Sequence, residues 1–296
     1  MLLMSREKTA SNRPTAGVTS RFELSGESEM ATLAEQPFVP APTTGDERFF
    51  LRGAIVMAIT IICGFSFQYL MGRSTFAAPM RVQLHAWVFM GWVGIYLLQN
   101  IFVATGRMQL HRKLGWVAAV WIVPMIVMGL VVTVTMVRMG HVPFFFRPLQ
   151  FLIFDPVTVF AFAGLTVAAI LLRRRTEWHR RLHFCAMALL LGPAFGRLLP
   201  MPILQPWAWE ASFVACLLFP LAGAWADLRR SGHVHPAWRW GITTMLGAFV
   251  LIEAITYSAA GLAIYGAVTA GSKGAAVAPL EFAPPPAGPL MTGRTE

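Results

Sequence analysis

Residues 115–138 read GWVAAVWIVPMIVMGLVVTVTMVR, and the first charge in that run is its last residue, Arg138. As a helix rising 1.5 Å per residue the segment reaches about 35 Å. The hydrocarbon core of a bilayer is about 30 Å thick. A surface helix of a soluble domain needs a polar face, and this run offers only Thr133 and Thr135. The segment therefore reads as a membrane crossing.

Working outward, six more apolar stretches of similar length lie at about 52–72, 82–104, 153–172, 182–200, 209–228 and 241–268. No ten-residue alternating pattern argues for a barrel, and inside lipid only helices otherwise satisfy every backbone group. The expectation is an all-α integral membrane protein with seven transmembrane helices. Composition agrees. Apolar residues make up 56% of the 296 and charged residues 13%, about half the soluble norm, which excludes a soluble enzyme or a disordered chain as the default. The net charge of +10 sits in short runs between the spans. It reads as membrane topology rather than nucleic-acid binding.

Seventeen of the 24 Lys and Arg fall on one side of that map, and Arg73, Arg81, Arg138, Arg147, Arg197, Lys273 and Arg294 on the other. The positive-inside rule then places the N-terminus inside and the C-terminus outside a bacterial plasma membrane. Residues 1–48, polar and without a signal-peptide-length apolar run, are expected as a disordered cytoplasmic tail. Within them Met30 stands as a candidate start. Residues 269–296, with FAPPPAGP, are expected as a flexible tail. Trp116, Trp178, Trp207, Trp209, Trp225, Trp238 and Trp240 fall near span ends, where indole suits the headgroup zone. Cys63, Cys185 and Cys216 fall within spans and read as small buried apolar residues.

The last six spans resemble three hairpins of one layout. His85 precedes His111 by 26 residues, Asp155 precedes His179 by 24, and Glu210 precedes His235 by 25. The inward turns re-enter as HRKLGW, HRRLHF and HPAWRW. Duplication and fixed bilayer width both give such spacing.

Several polar residues within this frame are candidates for chemistry. His85 lies about one turn inside the outer end of the second span. Asp155 before Pro156 reads first as a helix N-cap, and Glu210 as a first-turn carboxylate. His85, Asp155 and Glu210 also form a weak metal-ligand set. Glu253 is expected near mid-membrane, where a charge costs about 3 kcal/mol, with Arg197 as its candidate partner. Gln99 and Asn100 suit helix–helix hydrogen bonding. His179 and His183, four apart, share a helix face. A bis-His haem b needs two imidazoles at one depth, and two pairs are conceivable: His85 with His141 outside, and His111 with His183 inside. His111, His179 and His235 also read plainly as interfacial or capping residues. No span holds a Lys for a retinal, and no nucleotide loop or nucleophile elbow occurs.

LHAWVFMGWVGIYLLQNIFVATGRMQLHRKLGW (84–116), EWHRRLHFCAMALLLGPAFGRL and HVHPAWRWG together resemble a family of uncharacterised bacterial polytopic membrane proteins with a His-led helix and a basic loop carrying HR-x-LG. The resemblance covers about 50–260. It implies the same membrane architecture and marks His85, Gln99, His111, Arg112, His179, Arg197 and His235 as motif positions, without an activity to carry over. Three functions stay open. The leading one is a redox or metal/haem-binding membrane protein with an outer-half His/carboxylate cluster, a small molecule or quinone being a conceivable partner. The second is a proton-coupled transporter with Glu253 carrying the proton and Arg197 an anionic group. The third is a structural or assembly protein without a site.

Overall fold

The computed structural model describes residues 45–75 and 77–285. Most of the expected N-terminal tail, the candidate start at Met30 and the end of the C-terminal tail lie outside the described residues. Those described are helical with short connections: α1 Gly45–Leu70, α2 Met80–Ala104, α3 Met108–Met139, α4 Pro148–Leu171, α5 Thr176–Leu189, α6 Gly192–Leu198, α7 Ala208–Ser231, α8 Pro236–Thr256 and α9 Ala259–Thr269, then a 3-10 turn at Lys273–Ala276. Six of them, α1 to α4, α7 and α8, are long and apolar enough to cross a membrane.

The solvent can be read from α3. Val117, Val120, Val123, Val127 and Val131 are exposed along one face, while Ala118, Ile122, Met125, Thr133 and Val137 are buried on the other. A helix that is apolar on both its packed and its open faces belongs in lipid. Cys185 and Cys216 are buried as expected, but Cys63 is exposed, on a face of α1 that also presents Ile55, Val56, Ile59 and Ile62. All three cysteines are free.

Two expected spans are interrupted. The stretch 182–200 forms α5 and α6 with a break at Leu190–Leu191. Proline lacks the N–H a continuous helix would need at Pro193. The stretch expected over 241–268 becomes α8 and α9, because Ser258 Oγ accepts from the Gly261 N–H and caps a new helix. The fourth span begins earlier than 153, with Pro148 as its first residue. This overturns the cap reading of Asp155: its carboxylate lies inside α4, a full two turns past the helix start, and caps nothing.

α5 is the centre of the bundle. It packs on α1, α4, α7 and α8, while α1 to α4 pack each on the next and α6 closes against α1 and α7. Close approach requires small residues. A Cβ on Gly241 of α8 would lie 2.3 Å from Cys185 Sγ, and one on Gly64 of α1 would lie 2.9 Å from the Ala194 carbonyl oxygen of α6.

The arginine-rich end is tied by ion pairs. Arg181 Nε and Nη2 meet the Asp227 carboxylate at 2.8 and 3.0 Å, and both residues are buried. Glu177 pairs with Arg180 and Arg181, and Asp46 with Arg180 and Arg230. Trp238 Nε1 donates to Asp227 at 2.8 Å. Trp238, expected at the headgroups, is instead fully buried, because this carboxylate supplies a polar partner inside the bundle. Trp209 is buried too, whereas Trp116, Trp207, Trp225 and Trp240 are exposed.

At the other end residues 271–285 fold back on the bundle. The Tyr265 hydroxyl donates to the Gly274 carbonyl, and the Leu149 N–H donates to the Pro279 carbonyl at 2.8 Å. Phe282 lies under the Arg147 guanidinium at 4.5 Å.

Candidate functional site

A cavity of about 910 Å³ opens at the end opposite the ion network. Its walls come from α1, α2, α3, α4, the α3–α4 loop, α6, α7 and α8, and they are largely apolar: phenylalanines such as Phe65, Phe89, Phe146 and Phe154, with Met90, Met136, Met139 and Met201. His85, His141, Asp155 and Arg197 all reach it, with Gln68, Arg73 and Arg81. A mostly apolar pocket with a few convergent polar groups is the general form of a small-molecule site.

Each of these groups is held from behind. His85, six residues into α2, stacks on Phe89 with ring centroids 4.3 Å apart, and its Nδ1 meets the Met128 carbonyl at 3.3 Å. A carbonyl can only accept, so Nδ1 carries the proton and Nε2 presents a lone pair. Asp155 accepts from the buried Thr133 hydroxyl at 2.9 Å. Arg197 Nη1 donates to the Pro193 carbonyl at 2.7 Å, its guanidinium lies 4.2 Å from the Phe65 ring centroid, and Gln68 donates to its backbone oxygen. Arg197 and Asp155 are near enough for their charges to interact, as are Arg197 and His85, yet they form no ion pair within 4 Å. Arg81 donates to the Met139 sulfur. His141 is exposed just past the left-handed Gly140 that ends α3.

The two glutamates lie elsewhere. Glu253, expected near mid-span against Arg197, is in the last turn of α8 and accepts from the fully buried Gln150 amide at 3.1 Å. The α8–α9 break puts it at a helix end, and the carboxylate whose charge reaches Arg197 is Asp155. Glu210 is in the first turn of α7, interacts with Glu253 and Arg147, and leaves Oε2 buried without a partner. Neither glutamate is on the cavity wall. Glu210 thus stands apart from His85 and Asp155, and among the described residues no group of three or more His, Cys, Asp or Glu can hold a metal ion.

The remaining histidines gather at the arginine-rich end. His179 lies between His183, at 4.7 Å between ring centroids, and His111, at 6.2 Å. His179 Nδ1 meets the Ala169 carbonyl at 2.8 Å. His111 sits by the Gln99 backbone, and its Nδ1 and the Gln99 side-chain oxygen are both buried without a partner. His183 interacts with both His111 and His179. Arg112 is exposed beside His111, and Asn100 donates back to the Tyr96 carbonyl. His235 caps α8: its Nδ1 accepts from the Ala237 N–H at 3.1 Å, and burial followed by the nearby Arg181 charge lowers its pKa. A cap of this kind needs the neutral ring.

Thr133, Gln150 and the Arg181–Asp227 pair were not singled out by the sequence. Gln150 and Asp227 carried a faint signal, each being a polar residue at a position that continues an apolar helix. In comparisons with known protein families, curated proteins and solved structures, nothing matches this chain.

Proposed function

We propose that this multi-pass membrane protein holds a flat amphipathic redox group, a b-type haem or a quinone, in the cavity of His85 and Arg197. The observation that carries the reading is the cavity itself: an aromatic- and methionine-rich wall on which two histidines, His85 and His141, an arginine and a carboxylate converge. His85 offers Nε2 as an axial ligand or a hydrogen-bond acceptor, with its ring orientation set by the Met128 carbonyl. His141, at the start of the α3–α4 loop, is the candidate second ligand. Arg197 suits a propionate or a ring oxygen, and Asp155 suits a polar group beside it.

Detergent-purified protein is expected to show either a Soret band with stoichiometric iron or a quinone in its lipid extract. His85→Ala is expected to lose that group while the protein stays folded by thermal melting. Protein carrying neither group removes the redox reading.

The proposal includes orientation. The protein sits in a bacterial plasma membrane with α5–α6 as a seventh, interrupted crossing, the arginine-rich end in the cytoplasm and the cavity facing outward. An enzyme active only outside the membrane, fused after Arg181, is expected to be silent. Activity there reverses the map.

One observation favours a second reading, proton-coupled transport of an anionic small molecule. The interrupted α5–α6 lies against the cavity and delivers Arg197 to it, and broken helices at substrate sites are a transporter feature. On that reading Asp155 is the carboxylate beside the substrate, with the Glu210–Glu253 pair a separate proton store. A purified sample free of haem and quinone transfers support to this reading.

A further inference from the structure

Two helices carry inward-facing stripes with the same offsets, polar at His85, Tyr96 and Gln99 on α2 and at Asp155 and Thr166 on α4. On α2 the residues His85, Trp92, Tyr96 and Gln99 follow at steps of seven, four and three, which keeps them on one face. On α4 Asp155, Phe162, Thr166 and Ala169 repeat those steps. Both helices run from the cavity end to the arginine-rich end, so each stripe covers about 21 Å. The stripes touch at one level and are linked at both ends through neighbours. His85 and Asp155 share the cavity wall, the Trp92 and Phe162 rings touch edge to face at 5.0 Å, and the Ala169 carbonyl holds His179, which neighbours His111 beside Gln99.

Buried polar atoms on these stripes, and on α3 beside their lower end, lack partners: Trp92 Nε1, Thr166 Oγ1, Gln99 Oε1 and His111 Nδ1. Unpaired buried groups are costly and rare. They include both donors and acceptors, ordered along the helix axes from the Trp92 level to His111 as a loose file. That mixture is what a chain of buried waters satisfies, since each water both donates and accepts. The Tyr96 hydroxyl lies in the same file beside Asn100 and Cys185. At the lower end His111, His179 and His183 form a cluster flanked by Arg112 and Arg173.

We infer that this file conducts protons between the histidine cluster and the cavity. An excess proton passes by hops among imidazole nitrogens, hydroxyls and water, and no covalent bond or electron moves. The path ends at His85 and Asp155, so it delivers or removes protons where the cavity's occupant sits. It goes beyond the redox reading and does not depend on what the cavity holds.

The test is proton flux in vesicles of neutral lipid containing the purified full chain and a trapped pH dye, with valinomycin and potassium clamping the potential. After an external pH step, wild-type vesicles are expected to equilibrate faster than protein-free ones. Gln99→Leu/Thr166→Val and, separately, Tyr96→Phe are expected to slow the protein-dependent rate about tenfold, about 1.4 kcal/mol on the barrier. Both variants are expected to stay folded by thermal melting, since the first removes unpaired buried atoms and the second one hydroxyl beside Asn100. Wild-type flux equal to that of empty vesicles, flux unchanged in both variants, or dissipation that follows sodium rather than protons each overturns the inference. Haem or quinone content measured on the same preparations reports separately on the cavity.

Discussion

Asp227→Ala is expected to destabilise the protein by about 3 kcal/mol, the low end of what removing one member of a buried ion pair costs. The cost comes from what stays behind. Arg181 keeps its charge in a buried position and loses both hydrogen bonds to Asp227. Trp238, fully buried, loses the acceptor of its indole N–H. Glu177 still pairs with Arg181, and Asp46 lies 3.5 Å from it, which is why the low end applies. Thermal unfolding in detergent measures the effect. Arg181→Met/Asp227→Leu is expected to recover most of it, because well-packed apolar side chains often replace a buried pair without loss. A single variant that melts with wild type refutes the account of this network as the clamp joining α5, α7 and α8.

The second large effect is expected at Gly64. A Cβ there meets the Ala194 carbonyl oxygen at 2.9 Å and Cα at 3.1 Å, and backbone atoms cannot swing aside as a side-chain tip can. Gly64→Val must push α6 away from α1, at about 1–3 kcal/mol for overpacking. The displacement travels with Arg197, whose backbone oxygen is held by Gln68 of α1 and whose guanidinium rests on Phe65 of the same helix. Gly64→Val is therefore expected to lower both the melting temperature and the occupancy of the cavity. Gly94→Val is the control, since a Cβ there meets nothing within 4 Å. Equal melting and occupancy in the two variants would rule out the close α1–α6 contact as the support of Arg197.

The all-helical membrane class was legible because lipid imposes it residue by residue: the valines of α3 are apolar on the open face as well as the packed one. The element ends were less legible. Asp155-Pro156 looks like a helix start, yet the chain begins that helix at Pro148, a competing proline at an equally suitable first position. The break before Ala259 depends on a single Ser258 cap, which is invisible in an apolar run. For the site, charge alone brought His85, Asp155 and Arg197 to one end of the map, and the structure sets them around one cavity. Charge could not place Glu253, because its partner is the neutral Gln150, reached across 103 positions of sequence. The clamp at Arg181 and Asp227 escaped for another reason: both lie beside arginine runs at span ends, which resemble ordinary topology signals. Only packing shows that they point inward.

The segment Thr176–Leu189 lies at the heart of the bundle, yet it carries Glu177, His179, Arg180, Arg181 and His183. Its arginines enter the bundle in the second turn of the helix, and buried charge there needs counter-charges from neighbouring helices. The consequence falls on assembly: α5 gains its counter-charges only where α1 and α7 supply Asp46 and Asp227, so its docking depends on both neighbours being in place.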